Sequence, residues 1–500
     1  MLASLRSAAL FGLEAIPVDV EVDVSFGLPA LVLVGLPDAS VRESRDRVRS
    51  AIRNSGFDFP LKRVTVNLAP ADVRKAGTAF DLPIALGVLA ATGVVGTRTI
   101  SDTLIIGELS LDGSMLPTRG ALPVAAFARQ RGFSRLVLPS ANAAEAAVVD
   151  RLTLLPADTL ADAVAVLNDP GRARPAPARP CAPAPAEPPD LSDVHGQHLA
   201  RRALEVAAAG GHNLLMVGPP GAGKTMLARR LPGLLPPLTF DEALEVTTVH
   251  SVAGLLEPNA GLLRERPFRA PHHTISETAL VGGGSLPRPG EISLAHHGVL
   301  FLDEVPEFSR RALEVLRQPL EMGTVVVARA ARTATFPARF ALVAAMNPCP
   351  CGFAGDPRRR CVCTPAQVQR YAGRLSGPMR DRLDLIVPLS AVPAAALHAA
   401  EPGEGSAAVR ARVLAARARQ RARGSRLNAQ LQGRGLADDA SILPAARARL
   451  AASAERLHLS ARGYFRVLRV GRTIADLAGD REVGVEHIAE ALQYRGETGA

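Results

Sequence analysis

The stretch from Leu214 to Thr225, "LLMVGPPGAGKT", constrains the fold more than any other part of the chain. Four apolar residues typical of a buried strand run into a glycine-rich turn with the pattern G-x-x-x-x-G-K-T. The glycines let the backbone curl so that its N–H groups face phosphate oxygens, and the following helix adds its positive end. The motif therefore predicts a nucleoside triphosphate site between a strand and a helix of an α/β fold.

Within this phosphate loop, Gly218–Thr225, we expect Lys224 to reach the β- and γ-phosphates and the Thr225 hydroxyl to bind Mg²⁺. Lysine is rare in this arginine-rich chain and occurs only as Lys62, Lys75 and Lys224. A lysine inside the loop therefore indicates a position where arginine would not serve. The candidate nucleotide-binding residues of the loop are Gly218, Pro219, Pro220, Gly221, Ala222, Gly223, Lys224 and Thr225.

Acidic and polar residues follow two later apolar runs, where predicted strands end. The run Val299–Leu302 leads into Asp303 and Glu304, and the run Ala341–Ala345 is followed closely by Asn347. We expect Asp303 to complete the nucleotide site by holding Mg²⁺ through water. Glu304 is predicted to polarise the attacking water, and Asn347 to orient it against the γ-phosphate. These residues predict ATP hydrolysis with Mg²⁺ as cofactor.

An arginine that stabilises charge in the transition state is often supplied by a neighbouring subunit. Arg382, just before the apolar run Leu385–Leu389, is the candidate for this role, and Arg380 is the alternative. Helical segments separate the strand-like runs, which is typical of a parallel sheet with crossover helices. After about Pro393 the strands stop and Ala- and Arg-rich helical sequence follows.

Alternating Pro and Ala in the segment Gly171–Pro189 cannot build a core and favour an extended conformation, which indicates an interdomain linker. The length of 500 residues also favours several domains. The predicted division is an N-terminal α+β domain (1–168), a linker (169–190), an ATPase core (191–392) and a helical region (393–500).

The net charge of +10 permits a polyanionic partner. The N-terminus does not read as a signal peptide, and no apolar run approaches the roughly 20 residues that span a bilayer. We therefore expect a cytoplasmic protein without membrane contact.

Four of the five cysteines lie close together in the loop 349–363, and the fifth, Cys181, lies in the linker. Disulfides are rare in the cytosol, so two C-x-C pairs about ten residues apart favour a structural, tetrahedral Zn²⁺ site. Four reduced thiols without metal are the alternative. The candidate ligands are Cys349, Cys351, Cys361 and Cys363.

Two histidine pairs, His272-His273 and His296-His297, also suggest metal binding. Adjacent residues on a strand face opposite ways, which is unfavourable for chelation. We therefore interpret both pairs as structural residues or as parts of a motor loop.

The order of phosphate loop, acidic strand end, polar strand end, arginine and helical lid resembles an AAA+ ATPase. Longer stretches resemble the magnesium-chelatase-like ATPases of the ComM/YifB type: "PFRAPHHTIS", "LVGGGSLPRPGEISLAHHGVLFLDE", "AMNPCPCG" and "SARGYFRVLRVGRTIADLAG". The likeness covers essentially the whole chain. It implies a homo-hexameric motor on single-stranded or branched DNA, active in branch migration when incoming DNA is recombined during natural transformation. It also implies a lid arginine that contacts nucleotide; Arg462 matches best, with Arg466 and Arg469 as alternatives.

Two N-terminal stretches, Ala79–Gly93 and Gly107–Gly132, resemble the ATP-dependent Lon protease domain, an α+β fold of the ribosomal S5 domain 2 type. Such a protease needs a Ser activated by a Lys. Ala79 or Phe80 stands where the Ser would fall, and no Lys follows "LPTRG". We expect the fold to be retained without proteolysis.

Three functions follow from these observations: a DNA translocase, the motor subunit of a metal-chelatase complex, or a protein-remodelling ATPase. The translocase is the leading interpretation. The candidate DNA-contacting segments are the Arg-rich helix Val409–Arg426, the Gly-rich loop Gly282–Gly284 and the turn Arg358–Arg360.

Overall fold

The structure is a computed structural model. It describes residues 1–500 except 37, 72–74, 76, 97–98, 174–188, 285–286, 329–332, 357–358, 392–402, 425, 432–440 and 496–500. Most of the predicted linker therefore lies outside the described residues, as do Cys181 and Arg358.

A mixed seven-stranded sheet forms the N-terminal part of the chain. Alternate residues of its long strands are fully buried, as expected for a sheet with one face on the core. The strands are β1 (Leu2–Phe11), β2 (Glu14–Ser25), β3 (Ala30–Val34), β4 (Arg63–Ala69), β5 (Thr103–Ile105), β8 (Arg135–Pro139) and β9 (Thr153–Ala157), with a small hairpin of β6 (Glu108–Leu109) and β7 (Met115–Leu116). Their order in the sheet is β3-β4-β2-β1-β5-β8-β9.

Helices cover this sheet: α1 (Ala39–Asn54), α2 (Asp81–Ala91), α3 (Ala121–Gln130), α4 (Ala143–Ala146) and α5 (Leu160–Asn168). Helix α2 is apolar around its whole circumference and is buried along its whole length, which places it at the centre of this core. The predicted α+β pattern is therefore present.

A five-stranded parallel sheet forms the centre of the C-terminal part. Its strands are β10 (Leu214–Val217), β11 (Phe268–Arg269), β14 (Val299–Leu302), β17 (Ala341–Met346) and β18 (Leu385–Pro388), in the order β11-β14-β17-β10-β18. Four of them coincide within one residue with the predicted apolar runs. A parallel sheet is covered on both faces, so its strands read as continuous apolar sequence.

Short helices and two small hairpins connect these strands. The hairpins are β12 (Gly282–Gly283) with β13 (Arg288–Pro289), and β15 (Thr324–Ala328) with β16 (Thr333–Pro337). The helices are α6 (His198–Gly210), α7 (Lys224–Ala228), α8 (Leu231–Leu234), α9 (Phe240–Ala253), α10 (Glu277–Val281), α11 (Glu291–Leu294), α12 (Arg310–Glu314), α13 (Arg317–Met322), α14 (Pro365–Ala372) and α15 (Gly377–Arg380).

The helices near the C-terminus share one hydrophobic core with α6 and one face of the parallel sheet. They are α16 (Ser406–Arg423), α17 (Pro444–Arg456), α18 (Ala461–Ala478) and α19 (Val485–Gln493). A buried polar cluster joins α16 and α18, because Asp476 accepts hydrogen bonds from Arg423, Arg472 and Asn428. No described helix is both long and apolar enough to cross a bilayer.

The N-terminal and ATPase parts touch through α3 and α9. The Ser251 hydroxyl donates to Glu145 Oε2 at 2.6 Å, and the Gly120 N–H donates to the Ser251 carbonyl at 3.1 Å. Burial raises the pKa of Glu145, although the hydrogen bonds from Ser251 and Asn142 oppose this shift. The contact is therefore a hydrogen-bonded junction in a buried setting.

Candidate nucleotide-binding site

The carboxyl ends of β10, β14 and β17 lie side by side, because β17 pairs with both other strands. The phosphate loop follows β10, Asp303 and Glu304 follow β14, and Asn347 follows β17. Ligands of open α/β sheets bind outside this edge. The order of the strands thus brings Lys224 and Asn347, which are 123 positions apart in the chain, to the same edge of the sheet.

Close approach of the backbone explains the glycines of the phosphate loop. A Cβ atom on Gly218 would lie 2.7 Å from the Leu389 carbonyl oxygen. Gly221 and Gly223 have φ angles of +77° and +88°, which side chains disfavour. The conformation of the phosphate loop therefore requires glycine at positions 218, 221 and 223.

The Lys224 ammonium group is largely buried within this loop. Its Nζ atom donates to the Gly218 carbonyl at 2.6 Å, to the Pro219 carbonyl at 3.1 Å and to Asn347 Oδ1 at 2.9 Å. Burial lowers the pKa of Lys224, and the nearby carboxylates of Asp303 and Glu304 oppose the shift. A phosphate at this position would supply the negative charge that stabilises the ammonium group.

Thr225 and Asp303 form the second contact across the site. The Thr225 hydroxyl donates to Asp303 Oδ2 at 2.9 Å, and the Glu304 N–H donates to Asp303 Oδ1 at the same distance. One hydroxyl and one carboxylate fit the preference of Mg²⁺ for few protein oxygens alongside water and phosphate. Glu304 has a φ angle of +51° and a half-exposed side chain, so its carboxylate is accessible to solvent.

His273 is a residue of this site that the sequence interpretation missed. Its Nδ1 atom lies 3.6 Å from Glu304 Oε2, and its ring packs against His272 with centroids 4.1 Å apart. The loop after β11 brings it there, because β11 is the neighbour of β14. Since β11 has only two residues, no apolar run could reveal it.

The strand argument applied to the histidine pairs is wrong. His297 has a φ angle of +55°, so its ring turns beside the His296 ring and both Nε2 atoms lie 2.8 Å from Glu245 Oε2. His296 Nδ1 accepts the Arg339 N–H, so in the neutral ring Nε2 carries the proton and donates to Glu245. Burial and the nearby His297 lower the pKa of His296 to about 4. This cluster is a hydrogen-bonded link between α9 and the start of β14, consistent with a structural role.

The candidate transition-state arginine is held within its own chain. Arg382 Nη2 forms an ion pair with Glu321, and its Nη1 donates to the Pro378 carbonyl at 2.7 Å. Within the described part of the chain, the Arg380 guanidinium has no hydrogen-bond or ion-pair partner. Arg382 must leave Glu321 to reach a nucleotide on another subunit, whereas Arg380 needs no such exchange.

The three candidate lid arginines differ in burial and partners. Arg466 is buried and donates to Asp381 Oδ1 at 2.8 Å, and the Arg469 Nη1 donates to the Ala429 carbonyl at 2.8 Å. Arg462 is exposed in the first turn of α18, and no described contact joins it to the phosphate loop. Arg462 is therefore the member of the three whose guanidinium is not committed to a protein partner.

The four thiols of the cysteine loop, residues 349–363, meet at one point. The Cys349 sulfur lies 3.3 Å from that of Cys351 and 3.6 Å from that of Cys361, and all four sulfurs are within 4.8 Å of one another. Tetrahedral Zn²⁺ with bonds of about 2.3 Å places its sulfurs about 3.8 Å apart. Hydrogen bonds from the backbone of Phe353 and Val362 lower the pKa of Cys351 to about 6, whereas burial and the neighbouring thiols raise the pKa of Cys361 and of Cys363. The donor set fits Zn²⁺.

Comparisons with known proteins agree with this arrangement. Residues 20–142 match the family "Subunit ChlI of Mg-chelatase", residues 190–397 match "Magnesium chelatase, subunit ChlI", and residues 403–495 match "Magnesium chelatase, subunit ChlI C-terminal". The parallel sheet fits an AAA+-like fold. A Lon protease of Chloroflexus aurantiacus is 26% identical over 159 residues, which are 29% of this chain and 19% of that protein.

Two relatives match almost end to end. The protein YifB of Salmonella typhimurium is 46% identical over 505 residues, 99% of this chain and 97% of YifB. The competence protein ComM of Haemophilus influenzae is 46% identical over 502 residues, with the same coverage of both chains. The chain therefore belongs to the ComM/YifB family of magnesium-chelatase-like proteins.

Proposed function

We propose that this chain is an ATP-hydrolysing motor that acts on DNA as a homo-hexamer, and that it drives branch migration when incoming DNA is recombined during natural transformation. The observation that carries the ATPase proposal is the meeting of Lys224, Thr225, Asp303 and Asn347 at one edge of the parallel sheet. The similarity to the competence protein ComM and the net charge of +10 support DNA as the partner.

In the proposed reaction the phosphate loop and Lys224 bind the phosphates, and Thr225 and Asp303 hold Mg²⁺, which neutralises developing charge. Glu304 polarises the attacking water from its exposed position beside His273. Asn347 holds the Lys224 ammonium and orients the water. Arg382, released from Glu321, supplies positive charge to the site of the adjacent subunit. A lid arginine, Arg462, contacts the nucleotide from α18.

The residues proposed for DNA contact differ from the sequence prediction. The Arg-rich helix α16 uses much of its charge internally: Arg412 pairs with Glu205 and Glu404, and Arg417 donates to the Ala208 carbonyl. Part of its basic sequence therefore serves packing against α6, whereas Arg410 and Arg421 are exposed and have no hydrogen-bond or ion-pair partner among the described residues.

A better candidate lies beside the Gly-rich hairpin. Partial desolvation of its guanidinium and the nearby charge of Arg119 lower the pKa of Arg288, the arginine of β13. Neither guanidinium forms an ion pair within the described residues. Two unneutralised guanidinium groups next to each other are stabilised when a phosphate backbone approaches them. We include Arg119 and Arg288 in the DNA-contacting surface.

We also propose that Cys349, Cys351, Cys361 and Cys363 hold one structural Zn²⁺ per chain. Four protein thiolates close the coordination sphere, which leaves no open position for catalysis. We further propose that the segment 169–190 links two domains. The Lon-like domain before it stacks subunits in the hexamer, and the helices after 393 form the lid of the ATPase.

The first prediction concerns hydrolysis. Glu304→Gln should bind ATP with near wild-type affinity because the phosphate and Mg²⁺ contacts are intact, yet hydrolyse it very slowly because water activation is lost. Nucleotide binding by fluorescence titration and phosphate release measure the two effects. Near wild-type turnover would remove Glu304 from the mechanism.

The second prediction concerns assembly. Arg382→Ala and Glu304→Gln should each lower kcat by about 10³-fold. Mixed together they should regain activity, since some interfaces then combine an intact Arg382 with an intact Glu304. Arg380→Ala in the same mixing experiment is the control. If instead Arg382→Ala is active alone, and Arg380→Ala is inactive alone but regains activity when mixed with Glu304→Gln, Arg380 has the proposed role.

The third prediction concerns DNA. Wild-type protein should move a preformed three- or four-stranded junction with ATP, and Lys224→Ala should not. In the Arg119→Ala/Arg288→Ala double variant, the slope of log affinity against log salt concentration should be smaller in magnitude by about 2, because each lost phosphate contact reduces it by about 1. The control Arg447→Ala/Arg449→Ala removes equal charge from the exposed face of α17. If a porphyrin complex or an unfolded protein stimulates ATP hydrolysis and DNA does not, the proposal that this chain acts on DNA is wrong.

The fourth prediction concerns metal. Protein purified under reducing conditions without chelator should contain about one Zn²⁺ per chain. Cys349→Ser/Cys351→Ser should contain none, as measured by elemental analysis. Metal-free wild-type protein would support the four reduced thiols instead.

A further inference from the structure

We infer that the cysteine loop is a positioning element of the ATPase, and that its metal ion sets the geometry of Asn347 and of the phosphate loop. The inference rests on the proposed ATPase and Zn²⁺ site. It assigns the metal a role in turnover rather than in local folding alone.

The first contact runs from the cysteine loop to the phosphate loop. Gly352 lies between the metal-ligand candidates in the chain and is buried, with a φ angle of +87°. A Cβ atom at this position would lie 2.7 Å from Cδ and 2.9 Å from Cγ of Pro220. The backbone at Gly352 therefore packs directly against the Pro220 ring, and a shift of the cysteine loop is passed to the phosphate loop.

The second contact runs to Asn347 from both ends of the cysteine loop. Cys349 follows Asn347 by two residues, so the start of the loop fixes the direction in which the Asn347 side chain leaves β17. The end of the loop leads into α14, whose buried Tyr371 places its hydroxyl next to the backbone of Asn347. Burial raises the pKa of Tyr371 to about 12, so the hydroxyl is neutral and available as a hydrogen-bonding group.

The third step is the connection from Asn347 to the reaction. Asn347 Oδ1 accepts a hydrogen bond from the Lys224 ammonium at 2.9 Å. The same side chain is proposed to orient the attacking water. A displacement of about 1 Å at such a group lowers turnover by up to about 100-fold, whereas ATP binding depends mainly on the loop amides and is affected less.

The metal makes this support rigid. A bound divalent cation would hold the four sulfurs, which lie within 4.8 Å of one another, in one fixed tetrahedral geometry. Loss of the ion would remove that constraint and loosen both contacts at once. Metal loss should therefore lower kcat more than it weakens ATP binding.

Two glycines of the cysteine loop give a matched test. Gly352 and Gly355 both have positive φ angles, +87° and +78°, so alanine strains the backbone at both positions. Of the two, Gly352 touches Pro220, whereas no atom of the described residues lies within 4 Å of a Cβ atom on Gly355. Gly352→Ala thus adds a clash with the phosphate loop to a strain that Gly355→Ala shares.

We expect both variants to retain about one Zn²⁺ per chain and to melt at similar temperatures. Gly352→Ala should lower kcat by about tenfold or more with a smaller change in the ATP dissociation constant, and Gly355→Ala should leave both near wild type. Adding Pro220→Ala to Gly352→Ala removes the atoms that the new methyl meets and should restore part of kcat.

A spectroscopic readout separates positioning from general stability. Replacement of Zn²⁺ by Co²⁺ gives thiolate-to-cobalt absorption bands that report on the loop. In the wild type and in Gly355→Ala these bands should change when ATP replaces ADP. In Gly352→Ala the change should be lost or altered.

The outcomes distinguish the separate claims. A wild-type protein that binds Zn²⁺ but hydrolyses no ATP contradicts the proposed ATPase, and one without Zn²⁺ contradicts the metal site. Suppose that the wild type binds Zn²⁺ and hydrolyses ATP. The inference is then wrong if Gly352→Ala and Gly355→Ala have the same kcat and the cobalt absorption bands do not change between ATP and ADP.

Discussion

The hydrogen bond between the Lys224 ammonium and the Asn347 side chain is the contact on which the arrangement of the site depends. It joins the loop after β10 to the end of β17, the two strands that lie next to each other in the middle of the parallel sheet. Asp303 reaches the same edge from β14 and binds Thr225. The order of the strands therefore determines which side chains meet, and the chemistry of the site follows from that order.

The strands that carry these residues were predictable because a buried parallel strand is apolar along its whole length. Val299–Leu302 is such a run, and its position before Asp303 and Glu304 indicated the site directly. His273 could not be found in this way, since β11 is too short to leave a pattern. The histidine pairs failed for a related reason: His297 adopts a left-handed backbone conformation that no periodicity reveals.

Charge patterns in the sequence were less informative than apolar patterns. The arginines of α16 suggested an external basic surface, yet several of them bind carbonyls and carboxylates of α6 and its neighbours. Sequence composition records the number of charges but not their partners. The meeting of the four cysteine sulfurs, in contrast, agrees with the prediction from spacing, because short C-x-C segments limit how far apart their thiols can lie.

Helix α9 is in contact with both the N-terminal part and the ATPase sheet. At its C-terminal end Ser251 binds Glu145 of the N-terminal part, and near its middle Glu245 binds the histidines that precede β14. The two contacts lie about two helical turns apart on one rigid element. One helix therefore connects the N-terminal part with the residues that precede β14, the strand that ends just before Asp303.

The ion pair between Arg382 and Glu321 bears on ATP hydrolysis by chains that are not assembled. While the pair is intact, the Arg382 guanidinium is occupied within its own chain and is not presented to a neighbour. In the proposed assembly, a nucleotide bound to the neighbouring subunit would have to attract Arg382 more strongly than Glu321 does. If Arg382 acts across the interface of the proposed hexamer, ATP hydrolysis would depend on assembly, and unassembled chains would hydrolyse ATP slowly.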